Sequence, residues 1–101
     1  MAYKVIIKCT DKSGVGVYLH NKTFADPKPL PKAKTDAGAQ PSLDPGNYSV
    51  HVIAEHLEAD TDITVSVMRN DDMVSCPAKS DDRGNLYLIC YFELTDDGKV
   101  Q

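Results

Sequence analysis

The sequence predicts an all-β domain, an antiparallel β-sandwich of about seven strands with Ig-like or transthyretin-like character. Three observations lead there. Apolar and polar residues alternate in several short runs, the period-2 signature of half-buried strands. Turn signals separate the runs, most clearly Leu43-Asp44-Pro45-Gly46, where Pro45 presets φ and Gly46 accepts a positive φ. No window carries a sustained 3.6-residue apolar period, so no amphipathic helix is expected.

The elements follow in order. Residues 3–9 place Tyr3, Val5, Ile7 and Cys9 on one face and Lys4 and Lys8 on the other, a half-buried first strand. After the turn-like Asp11-Lys12-Ser13-Gly14, the residues Val15, Val17 and Leu19 repeat the pattern. Residues 21–47 hold five of the six prolines, Pro27, Pro29, Pro31, Pro41 and Pro45. Proline cannot donate to a ladder, so this stretch reads as loop, with a short edge strand near residues 32–35. Tyr48, Val50, Val52 and Ala54 share the inner face of the next strand, with Ser49, His51 and Glu55 opposite. Residues 55–60 are polar and form a turn or a short helical turn. Ile63, Val65 and Val67 mark a fourth strand, and residues 73–76 a fifth, ended by Pro77. The longest run spans residues 86–94, with Leu86, Leu88, Cys90, Phe92 and Leu94 on one face and Tyr87, Ile89, Tyr91 and Glu93 on the other. Its second face is too apolar for plain solvent exposure, so the strand is either central and covered on both sides or part of an interface. Residues 95–101 are expected to fray as a flexible tail.

A chain of 101 residues is a single domain, long enough to bury a core of its own. Its 42% hydrophobic and 26% charged residues are ordinary for a globular fold. The net charge of −4 argues against a nucleic-acid partner, which needs clustered Lys and Arg to displace counterions. No apolar run is long enough to insert into a membrane, and residues 1–8 lack the apolar core of a secretory signal. That favours a cytoplasmic chain, or a secreted one whose signal has been trimmed. Three cysteines leave at least one unpaired, which leans toward reduced thiols. Cys9 and Cys90 lie in apolar strand patterns and read as small buried hydrophobes. The alternative is a bridge between Cys76 and Cys90 across the turn at residues 80–85.

Gly14-Val15-Gly16-Val17-Tyr18-Leu19, Thr35-Asp36-Ala37-Gly38 and Leu43-x-Pro45-Gly46-x-Tyr48-x-Val50-x-Val52 together resemble the transthyretin-like sandwiches, namely the carboxypeptidase regulatory-like and Cna B-type domains. The resemblance covers residues 13–67, just over half of the chain. It departs from the family in its longer proline-rich loop and in the hairpin of residues 68–94. It implies accessory, stalk or adhesion work rather than catalysis. In some Cna B-type domains a Lys–Asn or Lys–Asp isopeptide bond closes beside a buried acid. The matching positions here are Lys4 or Lys8, Asp96, and Glu55 as the acid. Both lysines alternate onto the polar face, and a solvated lysine does not acquire the lowered pKa that the bond needs.

Acidic pairs in turns are the strongest chemical signal: Asp60 and Asp62, Asp71 and Asp72, Asp81 and Asp82, with Asp96 and Asp97 after the last strand. Carboxylates gathered at one end of a sandwich are hard ligands suited to Ca2+. Aspartate is equally a good turn residue. His20, His51 and His56 form no His-x-His or His-Glu-x-x-His pattern, which leaves a zinc or copper site without a spacing signature. No nucleophile elbow, phosphate-binding glycine loop or paired catalytic carboxylates appear, so the chain is not expected to be an enzyme. Tyr87 and Tyr91 could stack on a carbohydrate, or simply pair across strands.

The expectation is therefore a non-catalytic binding or assembly module that engages a protein partner or its own copies. It would act through Tyr87, Ile89 and Tyr91 on the last strand, with the Pro27, Pro29 and Pro31 loop beside them, or through a free sheet edge. The alternative is a small lectin-like or Ca2+-assisted ligand binder using the aspartate loops.

Overall fold

The computed structural model describes residues 1–101 and is all-β. Its strands are β1 (Tyr3–Lys4), β2 (Ile6–Cys9), β3 (Val15–His20), β4 (Lys28–Pro29), β5 (Ser42–Leu43), β6 (Gly46–Ala54), β7 (Asp62–Arg69), β8 (Asp72–Lys79) and β9 (Leu86–Leu94). They form three antiparallel sheets, with the orders β1-β5, β2-β7-β8 and β4-β3-β6-β9. Three of the nine segments are only two residues long, so the expected count of about seven meets six longer strands and three short ones.

The apolar faces of the two larger sheets share one core. Ile7 and Cys9 of β2 and Ile63, Val65 and Val67 of β7 come from one sheet; Val17 and Leu19 of β3, Tyr48, Val50 and Val52 of β6, and Cys90, Phe92 and Leu94 of β9 come from the other. Ile7, Ile63, Val50, Val52, Val65 and Val67 are fully buried, each contributing on the order of 1.5–3 kcal/mol by leaving water. Burial alternates along β2, β3, β7 and β8, whereas Ser49 on the outer face of β6 is also buried and Leu88 and Ile89 of β9 are both half-buried.

Residues 3–9 run as one extended segment broken only at Val5. On one side β2 pairs with β7. On the other, the Val5 and Ile7 N–H groups donate to the carbonyls of Pro41 and Ala39, so residues 39–43 extend that sheet.

The structure differs from these expectations at several points and resolves one alternative, the place of β9. Residues 32–35 form no edge strand: Pro31–Lys34 is a 3-10 turn with Ala33 buried, and the edge strand lies earlier, at β4. Pro31 opens that turn with a preset φ, whereas a strand needs a donor at each inward-facing position. Strand β8 does not stop at Pro77 but continues to Lys79. Pro77 opposes Thr64, whose N–H and C=O bond to Thr10 on the β2 side, so Pro77 sits where β8 faces no partner and needs no donor. Strand β9 is not central; it ends its sheet, and its outer face is open.

The tail does not fray. The Thr95 N–H donates to Lys99, Glu93 and Gln101 exchange both backbone bonds, and Val100 is buried at 5% exposure over Leu94. Its lone apolar residue supplies an anchor that the polar composition conceals. The thiols are not all reduced either. Cys76 and Cys90 form a disulfide with Cα atoms 5.8 Å apart, joining β8 to β9 across the two sheets. Cys9 is the free cysteine and is buried. Burial pushes its thiol up to about 11, against a smaller opposing effect from Lys34.

Candidate functional site: the outer face of the four-stranded sheet

The register of β3, β6 and β9 assembles one surface. Tyr18 lies opposite His51 and His20 opposite Ser49 across β3–β6. His51 lies opposite Ile89, Ile53 opposite Tyr87 and Ser49 opposite Tyr91 across β6–β9. Period-2 alternation sends all of these side chains outward when Val50, Val52, Leu88 and Cys90 point inward. Tyr87 is 64% exposed, Tyr91 71% and Ile53 45%, so the face is aromatic and aliphatic yet open to solvent. Gly16 makes room on it. A Cβ at that position would lie 3.1 Å from the Tyr18 ring, which folds over the bare backbone.

A shallow groove of about 430 Å³ crosses this face, lined by Tyr18, His20, Pro27, His51, Ile53 and Tyr87. His51 is its hub. Its Nε2 lies 2.9 Å from Ser49 Oγ and its Nδ1 lies 3.0 Å from the Tyr87 hydroxyl. The His51 and Tyr87 rings stack with centroids 6.0 Å apart, and the His20 ring meets His51 edge-on at 6.1 Å. Partial burial lowers the His51 pKa below its usual value, and the neighbouring His20 lowers it further. A neutral imidazole with one nitrogen donating and the other accepting satisfies both hydroxyl contacts. Nδ1 of His20 is enclosed without a hydrogen-bond partner.

The structure joins some of the expected site residues and separates others. Tyr87 and Pro27 line the same groove, and Ile89 and Tyr91 continue the face along β9. Pro29 pairs with Tyr18 in the ladder, and Pro31 begins the 3-10 turn, so these two frame β3 on its far side rather than the groove. Tyr18, His20, His51 and Ile53 were not singled out as interface residues from the sequence. One signal was available: Ile53 is apolar on the polar phase of its strand, as Ile89 is on β9.

The aspartates serve the loops. Asp60 and Asp62 flank Thr61, whose carbonyl accepts from Ser80 beside Asp81 and Asp82, so both pairs lie at one end. They meet there because β7 and β8 form a direct hairpin. Asp71 and Asp72 occupy the hairpin turn at the other end of that ladder. Asp62 pairs with Lys79 at 3.0 Å. Asp81 Oδ1 accepts from the Arg83 and Asn85 backbones, and Asp72 Oδ2 from the Val100 N–H. No three His, Cys, Asp or Glu side chains converge as metal ligands. Lys4, Glu55 and Asp96 are exposed, far from the desolvated setting an isopeptide bond requires.

Compared with known proteins, the chain matches no protein family model, no curated sequence and no solved structure.

Proposed function

We propose that this chain is a non-catalytic protein-binding or assembly module, an Ig-like or transthyretin-like β-sandwich that engages its partner through the outer face of β9 and its neighbours. The observation that carries the reading is the pair of exposed rings Tyr87 and Tyr91, with half-buried Ile89 between them and exposed Ile53 beside them on β6. Large aromatics presented on a flat strand face supply contact area at low entropic cost, and contiguous apolar surface of this kind favours an interface. Pro27 stiffens the rim beside Tyr87.

Light scattering after size exclusion tests it. Assembly gives a mass above 11.1 kDa, and joint replacement of Tyr87 and Tyr91 by Ser returns it to that value. An assembled mass that ignores both substitutions overturns the face as the contact surface.

The groove favours a second reading, a small lectin-like ligand binder. Tyr18 and Tyr87 offer ring faces at its walls, and His51 a polar floor. Saturation with a binding glycan at a hundredfold excess over Kd would raise stability by ~2.7 kcal/mol.

A further inference from the structure

We propose that β9 pairs antiparallel with the β9 of a second copy of this chain, joining two four-stranded sheets edge to edge. This rests on the assembly reading above and names its partner and geometry.

The backbone sets the case. The Glu93 N–H and C=O both bond to Gln101, on the side of β9 away from β6. Antiparallel alternation then turns the N–H and C=O of every second residue back along the strand, Tyr91, Ile89 and Tyr87, to that same side. The intervening residues bond to β6. None of the backbone hydrogen bonds outside the ladders reaches Tyr87, Ile89 or Tyr91, and β9 has no second ladder partner. A run of unmatched donors and acceptors is a template for another strand.

The other edges are protected and this one is not. Strand β4 is two residues long and contains Pro29. The extended run 39–43 is short, with only Gln40 and Ser42 turning backbone groups away from residues 3–7, and β8 carries Pro77 and Lys79 on its open side. From Leu86 to Phe92, β9 has neither proline nor charge. Each copy bears a net charge of −4, so two copies meet with least repulsion along an uncharged edge. The disulfide from Cys90 to Cys76 anchors the strand from its inner face without occupying that edge.

The sequence of the edge singles out a second copy. Tyr87-Leu88-Ile89-Cys90-Tyr91 is nearly symmetric about Ile89. A twofold axis through Ile89 sets Ile89 against its own copy and Tyr87 against the partner's Tyr91, as an isologous contact requires. Both tyrosines then become cross-strand aromatic neighbours on the outer face. The C-terminal tail, paired at Glu93, stops the ladder beyond Tyr91 and fixes its length.

The test uses the full chain. Sedimentation from micromolar to millimolar concentration is combined with residue-resolved amide exchange. Pairing predicts a dimer of twice 11.1 kDa, in which the Tyr87, Ile89 and Tyr91 amides exchange more slowly at high concentration than at low. The amides of Leu88 and Cys90, already bonded to β6, are protected at both. Ile89→Pro removes a donor that no intrachain bond uses, as Pro77 does on β8, and weakens association by more than about tenfold. Ile89→Val retains it. A dimer whose three amides exchange freely, and which Tyr87→Ser and Tyr91→Ser dissolve, overturns edge pairing while leaving the face as an assembly surface. A dimer untouched by either set of variants overturns both readings. A chain that stays monomeric at millimolar concentration overturns the second copy as occupant.

Discussion

His51 and Tyr87 meet across the β6–β9 ladder, Nδ1 to hydroxyl at 3.0 Å with their rings stacked, and so couple a titrating group to the most exposed aromatic row of the sheet. The His51 pKa is lowered, first by burial and then by His20. A lowered folded-state value means that the unfolded chain takes up this proton first. The associated stability is therefore complete above the ordinary value of 6.5 and is lost as the pH falls through it and on through the lower folded value. NMR titration should place the His51 midpoint below 6.5, and His20→Ala should move it upward by removing the like charge. A midpoint at or above 6.5, or one indifferent to His20, contradicts this account of the groove.

The Cys76–Cys90 bridge closes a loop with a sequence separation of 14 and ties together the two sheets at their β8 and β9 edges. A loop of that length is worth about 3 kcal/mol in the chain-entropy account. Reduction, or Cys76→Ser with Cys90→Ser, should lower the unfolding free energy by about that amount in denaturant melts. Cys9 should resist alkylation in the folded chain, since the thiolate is the reactive form and burial holds the thiol near 11. Rapid labelling of Cys9 without unfolding would show that the core around β2 opens.

The inner faces were legible in the sequence because their signal is periodic. Val50, Val52 and Ala54, or Ile63, Val65 and Val67, need only an opposing layer to become core, and any sandwich supplies one. The outer face was half legible: Tyr87, Ile89 and Tyr91 stand out within one strand. Tyr18, His20 and His51 join them through ladder register, which depends on which strands become neighbours, and local pattern does not contain that. Pro77 misled for a related reason, since a proline ends a strand only where its missing N–H is needed. The anchoring of the tail by Val100 was hidden because one apolar residue among polar ones has no periodicity to read. The disulfide required β8 and β9 to lie at matching edges of facing sheets, again a matter of topology.

Gly84 binds the β8–β9 turn to the loop after β6. Its φ is +79°, and a Cβ there would sit 1.9 Å from the Leu57 carbonyl oxygen, while its own carbonyl accepts from the Leu57 N–H. Left-handed backbone costs ~1–2 kcal/mol for an L-residue, and the contact with Leu57 leaves no room to relax. Gly84→Ala should therefore destabilise by more than ~1 kcal/mol, with raised amide exchange at Leu57. A neutral substitution would mean that the turn rearranges freely.

Tyr48 closes the core where the Pro45-Gly46 turn enters β6. Its ring stacks on Phe92 with centroids 5.3 Å apart and a tilt of 14°, Phe24 packs against it at 6.3 Å, and its hydroxyl donates to the Asp44 carbonyl at 2.5 Å. The two parts of the side chain do separable work. Tyr48→Phe keeps the stack and loses one hydrogen bond, leaving the Asp44 carbonyl free to find water, so it should cost about 1 kcal/mol. Tyr48→Ala opens a cavity between β6 and β9 and should cost ~3–5 kcal/mol, in line with buried aromatic truncations. Equal losses for the two variants would place the stability in the hydroxyl and the turn rather than in the ring. A large loss for Ala with a small one for Phe places it in packing. The Pro-Gly turn then serves to deliver the ring to Phe92.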